Sequence, residues 1–323
     1  MIQYFTKRVL MIVPIVLAVI LIMFILLYAL PGTNPRALSS FGGGDALDSV
    51  FETLKLGDNL FTKYIRYCYN ALTKFDFGTS AKSGPGMNFE LSFRLKRTLL
   101  LTGLGLAATL LIGIPAGICA AVHKDKWQDN AITFFSVLFS SVPNYCLALL
   151  LVIFAVMKLK IPPSFGFQQP SALILPTITI SVGGIAITTR MTRSSMLSVL
   201  DQQYIMALRS KGLRERAVIY IHALKNSLIP VIAVLSELTG QLLCGAMVVE
   251  RFFNIPGIGA YLVTAISSRD SYAILGGTVL ISLILSVVSV ATDIIYVLVN
   301  PDIRLHYARG LSKKSGKGDI VEA

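Results

Sequence analysis

Six apolar runs, each long enough or nearly long enough to cross a bilayer, dominate this chain of 323 residues. A helix that crosses about 30 Å of hydrocarbon needs about 20 residues at a rise of about 1.5 Å each. Hydrophobic residues make up 54% of the chain and charged residues only 14%, so a single core surrounded by water is excluded. The runs are 9–30, 98–121, 131–157, 171–189, 227–249 and 271–299. The sequence therefore predicts an all-α integral membrane protein with six transmembrane helices.

Basic residues are distributed unevenly between the two sets of segments that six spans create. If the N-terminus is cytoplasmic, the inside segments carry 16 Lys and Arg residues and the short outside loops carry four. Cytoplasmic loops of membrane proteins carry such an excess, so both termini are predicted to be cytoplasmic. The net charge of +12 is then explained by these loops and by lipid headgroups, and nucleic acid is not expected as a partner.

This topology divides the chain into four parts. Residues 1–30 form the N-terminal segment and the first transmembrane helix, and residues 31–97 form a small external region between helices 1 and 2. Residues 98–304 form a five-helix core with a cytoplasmic loop at 190–229, and residues 305–323 form a basic cytoplasmic tail.

The loop at 190–229 is the most informative polar segment, because most connections between helices are far shorter. Asp201 is suited to cap a helix that runs to about Ser210 or to complement its charge, and Gly212 permits the positive φ of a sharp turn. After the turn, apolar residues recur at three- and four-residue spacing and predict an amphipathic helix. That stripe consists of Leu213, Ala217, Ile221, Leu224 and Leu228. Two interpretations stay open, an interfacial helix pair on anionic headgroups and a docking element for a cytoplasmic partner.

The sequence contains no recognisable catalytic or metal-binding motif. A Walker A loop needs G-x-x-x-x-G-K-[ST] to wrap phosphates with backbone N–H groups, and that string does not occur. Nucleophile elbows, HExxH strings and paired catalytic carboxylates are also missing. We therefore expect no enzyme activity, no cofactor and no metal in this chain.

Two carboxylates lie inside apolar runs. Glu237 lies near the middle of the fifth run, where an ionised carboxylate costs about 2.5–3.5 kcal/mol. Glu237 is expected either to line a translocation path and attract a cationic group or to be paired within the bundle. Asp293 lies nearer the end of the sixth run, and we expect it to be a paired or solvated structural residue. These two carboxylates also leave an ion-coupled secondary transporter open as an alternative, although the repeated broken helices of such folds are not evident.

The loop residues resemble a known family. The string Tyr204-Ile-Met-Ala-Leu-Arg-Ser-Lys-Gly212-Leu, followed by His222-Ala223-Leu224, is similar to the "EAA" loop of ABC importer permeases. The branch that imports dipeptides, oligopeptides, nickel and related solutes is the most similar. Further matching elements, in chain order, are Arg8 with Leu30-Pro31-Gly32, Asp76-Phe77-Gly78-Thr79-Ser80, Arg190 with Arg193-Ser194-Ser195-Met196, Glu250, Phe253, Pro256-Gly257-Ile258-Gly259, Arg269-Asp270, Asp293, Tyr296, Pro301 and Arg304. The resemblance covers roughly residues 1 to 304.

The sequence departs from the family pattern in two places. Met206-Ala207-Leu208 replaces the usual Glu-Ala-Ala, and the proline of the loop falls later, at Pro230, as is common in the peptide branch. In the external region Thr33-Asn34 interrupts an acidic-proline pair, and Gly42-Gly43-Gly44 is an insertion. These last departures affect the part that would contact a binding protein.

The resemblance implies a type I ABC importer permease-like fold and a role as one half of a transmembrane pathway, most similar to that for peptides, in the bacterial cytoplasmic membrane. Nickel, glutathione or another small solute of the family is the alternative. The implied partners are a second homologous permease, cytoplasmic ATPase subunits that bind ATP and Mg, and an external solute-binding protein. The residues it assigns to ATPase coupling are Tyr204, Ala207, Arg209, Lys211, Gly212, His222 and Leu224. Those it assigns to an external gate loop are Phe253, Pro256, Gly257 and Gly259, the alternative being a surface loop closed by a turn.

Overall fold

A computed structural model of the chain describes residue 6 and residues 8–29, 60–78, 87–158 and 169–299. The basic tail at 305–323 and most of the predicted external region, including Thr33-Asn34 and the glycine insertion, lie outside these residues. Within the described ranges the protein is helical and contains no β-strand.

Ten helices form the described part of the bundle. Their bounds are α1 Ile12–Ala29, α2 Leu60–Tyr69, α3 Met87–Val122, α4 Trp127–Ser141, α5 Asn144–Met157, α6 Ile174–Leu200, α7 Gln203–Ser210, α8 Leu224–Phe252, α9 Ile258–Ser267 and α10 Ser271–Val299. A single turn at Glu215–Ala217 continues through a π-helical segment, Val218–Ala223, into α8. A second π-helical segment, Asn70–Lys74, extends α2.

Five helices in the described ranges are long and apolar enough to cross a membrane, and they belong to α1, α3, α6, α8 and α10. The remaining predicted span, 131–157, is not one helix, because α4 and α5 are bent by 107° where they meet. Pro143 starts α5, and its ring disfavours helical backbone in the preceding residue. Val142 is accordingly extended, with φ −88 and ψ 122. Six spans are present only if this bent pair counts as one.

The tightest helix pair is α3 with α6. A small residue on one helix faces a larger one on the other at every fourth position, in the pairs Gly105–Ile180, Thr109–Gly184, Gly113–Thr188 and Gly117–Thr192. A Cβ added at Gly113 would lie 2.9 Å from the Thr188 Cβ, and one added at Gly117 would lie 2.5 Å from that of Thr192. Small residues let helix backbones approach closely where lipid offers no hydrophobic driving force. This contact forms the centre of the bundle.

The first and last spans pack against each other. One face of α1, with Val16, Ile20, Phe24 and Leu27, is buried in a cluster shared with α10 and α2. At the opposite end of α1 from α2, Arg8 Nη1 lies 2.5 Å from Asp293 Oδ2. The expectation that Asp293 is a paired structural residue is therefore confirmed.

Candidate functional site

The hairpin that follows α6 presents a short helix on a buried base. Ile205 of α7 is fully buried, whereas Met206 on the next position is exposed. The base is an apolar cluster drawn from α3, α6, α7 and the π-helical segment, and it consists of Ile118, Ala121, Met196, Val199, Ile205, Val218, Ile219 and Ala223. This cluster therefore joins α7 to both helices of the central pair.

Gly212 ends α7 with the backbone geometry that the sequence predicts. Its φ is +77, and a Cβ there would meet no atom within 4 Å. The Gly212 N–H donates to the Arg209 carbonyl at 2.9 Å, and the Leu213 N–H donates to the Leu208 carbonyl at 3.4 Å. These two bonds form a Schellman motif, in which the left-handed residue is the one after the helix cap. The turn therefore requires glycine for its φ, not for space.

An ion pair spans this turn. Arg209 Nη2 donates to Glu215 Oε1 at 2.7 Å and Arg209 Nε donates to Glu215 Oε2 at 3.2 Å. The hydrogen bond to Glu215 raises the pKa of Arg209, so Arg209 stays positively charged at neutral pH. Both side chains are about half exposed, and solvent therefore screens the interaction.

The second half of the hairpin differs from the prediction. The expected apolar stripe includes Ile221, yet Ile221 is 64% exposed, and the buried residues are Val218, Ile219 and Ala223 instead. The π-helical segment closes i to i+5 hydrogen bonds, and this wider turn shifts the face that points into the bundle. The amphipathic helix predicted after Gly212 is not a separate element, because the helical segment that begins at Glu215 is continuous with α8.

The predicted coupling residues occupy two environments. Ala207, Arg209, Lys211 and Gly212 are exposed, and Tyr204, His222 and Leu224 are half-buried. The Asn226 Nδ2 donates to the Tyr204 hydroxyl at 2.9 Å and joins α7 to α8. Of the two roles expected for Asp201, capping α7 or complementing its charge, the first is wrong, since the N-cap residue is Gln202 and α7 has no side-chain capping hydrogen bond.

Two polar contacts that the sequence did not predict hold this end of the bundle. Arg193 of α6 donates to Asp129 of α4 through Nε at 2.5 Å and Nη2 at 2.6 Å, and Asp129 is almost fully buried. Ser195 Oγ donates to the Ser227 carbonyl at 2.7 Å and ties α6 to α8. The helix α6 extends to Leu200, beyond the end of the predicted apolar run at 189. The one sequence feature that could have indicated this ion pair is the position of Asp129 in the first turn of an apolar helix.

At the other end of α8 a buried carboxylate holds the start of α9. The Ala260 N–H donates to Glu250 Oε2 at 3.0 Å, and the Thr98 hydroxyl donates to Glu250 Oε1 at 2.5 Å. Thr98 Oγ1 in turn accepts the Ile258 N–H at 2.9 Å. Glu250 therefore satisfies N–H groups at the N-terminus of α9, where a negative charge is favoured.

The glycines of the predicted gate loop make room for this carboxylate. A Cβ added at Gly257 would overlap the Glu250 carboxyl group, and one added at Gly259 would overlap Met247. Gly257 has φ −99 and ψ 179, which any residue can adopt. Phe253 is buried beneath the loop, whereas Pro256 is partly exposed. Sequence reasoning identified the two glycines but gave Glu250 no role of its own.

Glu237 lies apart from both clusters. It is exposed near the middle of α8, where the Gln241 Nε2 donates to its Oε1 at 3.4 Å. Within the described ranges no group of three or more His, Cys, Asp or Glu side chains could hold a metal ion.

Comparisons with known proteins agree with this fold. Residues 113–305 match the family described as "Binding-protein-dependent transport system inner membrane component". The chain is 36% identical over 314 residues to the dipeptide transport system permease protein DppB of Bacillus subtilis (strain 168), covering 95% of this chain and 99% of that one. It is 33% identical over 306 residues to the glutathione transport system permease protein GsiC of Escherichia coli (strain K12), covering 94% and 99%.

A solved structure supports the architecture. An inward-facing conformation of the MetNI methionine ABC transporter superposes with a TM-score of 0.59 at 17% sequence identity, over 67% of this chain and 99% of that one. At this identity the likeness concerns the fold alone. The chain therefore belongs to the family of binding-protein-dependent transport system inner membrane components, and it is a multi-pass permease of the bacterial cytoplasmic membrane with the type I ABC importer fold.

Proposed function

We propose that this chain forms one half of the transmembrane pathway of an ATP-driven importer of peptides, and that α7 couples it to an ATPase. The near full-length similarity to a dipeptide permease supports peptides as the solute class. Similarity to a glutathione permease supports that tripeptide as a second candidate solute. The observation that carries the coupling role is the arrangement of α7, whose Ile205 is buried while Ala207 and Arg209 are exposed.

The complete transporter in this proposal contains four kinds of component. A second, homologous permease completes the pathway, cytoplasmic ABC ATPase subunits bind ATP and Mg²⁺, and an external solute-binding protein delivers the solute. Both termini and α7 lie on the cytoplasmic side, as the distribution of basic residues predicts. This chain contributes no ATP-binding residues of its own.

The geometry of the hairpin favours a rigid lever. The Schellman motif at Gly212 and the ion pair between Arg209 and Glu215 fix α7 relative to the segment that enters α8. The Asp129–Arg193 pair fixes α4 to α6 at the same end. When the ATPase subunits close on ATP, the movement of α7 biases the bundle between two states, inward-facing and outward-facing.

The path itself is proposed to run along the exposed face of α8 that carries Glu237 and Gln241. An ionised carboxylate is too costly to face hydrocarbon, so Glu237 is best accommodated against water or a charged solute. The amino group of a peptide would provide the complementary charge. At the external end, α9 is anchored to α3 and α8 through Glu250 and Thr98, and it forms part of the gate.

Uptake measurements test this proposal. Cells that express the complete transporter should accumulate radiolabelled dipeptides, and Gly212→Pro should abolish this uptake because proline cannot adopt a φ of +77. Gly103→Ala is the matched control, since Gly103 lies in α3 with no atom within 4 Å of an added Cβ. Uptake that survives arsenate but collapses with the proton gradient would contradict an ATP-driven mechanism.

A further inference from the structure

The short helix α2 has two different faces. Thr62, Tyr67 and Cys68 are buried against the bundle, whereas Phe61 is 69% exposed. Ile65 and Tyr69 follow Phe61 at four-residue spacing, with 37% and 42% exposed, and complete one stripe along the helix. Large apolar side chains in such a stripe are stabilised when lipid or protein, not water, covers them.

Contacts with α1 fix the depth of α2. The Phe24 ring lies 5.9 Å from that of Tyr64 and 5.8 Å from that of Tyr67, between ring centroids. The Tyr64 hydroxyl donates to the Leu17 carbonyl at 3.2 Å. Phe24 and Leu17 lie about 7.5 Å and about 18 Å from the C-terminal end of α1, at a rise of about 1.5 Å per residue. Since α1 is a transmembrane helix, α2 lies beside it at the depth of the hydrocarbon.

The helix α1 against which α2 packs has an exposed apolar face of its own, and we expect lipid to cover it because α1 is long and apolar enough to cross a membrane. The outward face of α1 at this level carries Leu21, Ile22, Ile25 and Leu26, all about half exposed. With 10 residues α2 is about 15 Å long, so it cannot cross the bilayer and lies within one leaflet.

We propose that α2 is a membrane-embedded helix whose Phe61, Ile65 and Tyr69 contact phospholipid acyl chains in the leaflet around the C-terminal end of α1. Part of the region expected to be external therefore belongs to the membrane. The helix buttresses α1 and α10, because its buried face packs in the cluster that joins those two spans. This inference is independent of the transported solute and of any ATPase.

Tryptophan fluorescence tests this position in the full chain reconstituted in phosphatidylcholine and phosphatidylglycerol vesicles. Trp127, the only tryptophan in the sequence, is replaced by Phe, and a single Trp is then introduced as Phe61→Trp or Tyr69→Trp. Acyl-chain-brominated lipid should quench both reporters strongly, and aqueous iodide should quench them weakly. Two reporter positions are used so that a folding defect in one variant leaves the other informative.

Two further single-Trp variants calibrate the scale. Leu21→Trp reports a lipid-facing site on α1, and Met206→Trp reports a water-exposed site on α7. We expect the α2 reporters to match Leu21→Trp within twofold in quenching by brominated lipid. Quenching that matches Met206→Trp would overturn the proposal in favour of a water-facing helix. Resistance to both quenchers would overturn it in favour of a stripe covered by protein.

Discussion

One glycine turn precedes the helical stretch from Glu215 to Phe252 and another follows it, yet the two turns depend on glycine for opposite reasons. At Gly212 the backbone has φ +77 and the surroundings are open. At Gly257 the backbone is ordinary, with φ −99, and the Glu250 carboxyl group occupies the space of a side chain. Backbone conformation restricts which residues fit at Gly212, and packing against Glu250 restricts which residues fit at Gly257.

This difference separates an exposed turn from a buried one. The turn at Gly212 is exposed and closed by a solvent-screened ion pair, as suits a surface that meets a partner. The turn at Gly257 is buried and joined to two spans through Glu250 and Thr98. We therefore expect substitutions at the Gly257 end to destabilise the fold and those at the Gly212 end to reduce coupling.

The largest effect is predicted for Gly257→Ala. The added Cβ must displace the Glu250 carboxyl group, which combines overpacking with loss of buried hydrogen bonds, and it should cost about 3 kcal/mol. Thermal unfolding in detergent measures this cost as a lower Tm. Gly183→Ala in α6 is the control, because its Cβ would meet no atom within 4 Å. Equal Tm values for the two variants would show that the carboxylate does not fill this space.

Replacing the carboxylate itself should have the next largest effect. Glu250→Gln keeps an acceptor for the Ala260 N–H but places an amide N–H₂ group where the Thr98 hydroxyl needs an acceptor, and we expect a loss of about 2 kcal/mol. Glu237→Gln, at an exposed position of the same helix, should change the free energy of unfolding by less than about 0.5 kcal/mol. If Glu250→Gln were as mild as Glu237→Gln, Glu250 would not anchor α9.

Gly212→Ala should have a moderate effect on stability. An L-residue at φ +77 costs about 1 kcal/mol, and nothing nearby clashes. Gly212→Asn should be milder, because asparagine tolerates the left-handed region better. The predicted signature is a small change in Tm together with reduced solute-stimulated ATP hydrolysis in the reconstituted complex. A loss of Tm as large as that of Gly257→Ala would remove the distinction between the two turns.

The smallest effect is predicted for the ion pair at the Gly212 turn. A double-mutant cycle with Arg209→Ala and Glu215→Ala should give a coupling energy below about 1 kcal/mol, because both side chains are exposed. High salt should reduce it further. A salt-independent coupling energy of several kcal/mol would mean that this pair is shielded from solvent.

Much of the fold could be predicted from the sequence, because hydrocarbon thickness fixes the length of a span. The break between α4 and α5 could not, since proline alone does not predict it. Pro115 lies inside α3 and Pro230 inside α8, and both helices continue. At Pro143, by contrast, the preceding residue Val142 is extended and the helix is interrupted. Whether a proline interrupts a helix depends on neighbouring helices that offer new hydrogen-bond partners to the freed backbone groups. A single sequence does not reveal those neighbours.

The candidate site divides in the same way. Gly212 could be predicted because a helix end that needs positive φ selects glycine locally. The role of Glu250 could not, because its partner Thr98 lies 152 residues away in the chain. The π-helical segment was not predicted either. Its wider turn rotates the buried face, but no residue type in the segment marks such a turn in the sequence.

Site-specific cross-linking of α7 tests the central claim most directly. The native cysteines are replaced by serine. A single cysteine is then introduced at an exposed position, either as Ala207→Cys in α7 or as Thr264→Cys in α9. In membranes that contain the assembled transporter, we predict that Ala207→Cys cross-links to the ATPase subunit in a nucleotide-dependent manner and that Thr264→Cys does not. The coupling role of α7 would be contradicted if Ala207→Cys reacted only with lipid, or if both positions gave the same ATPase adduct.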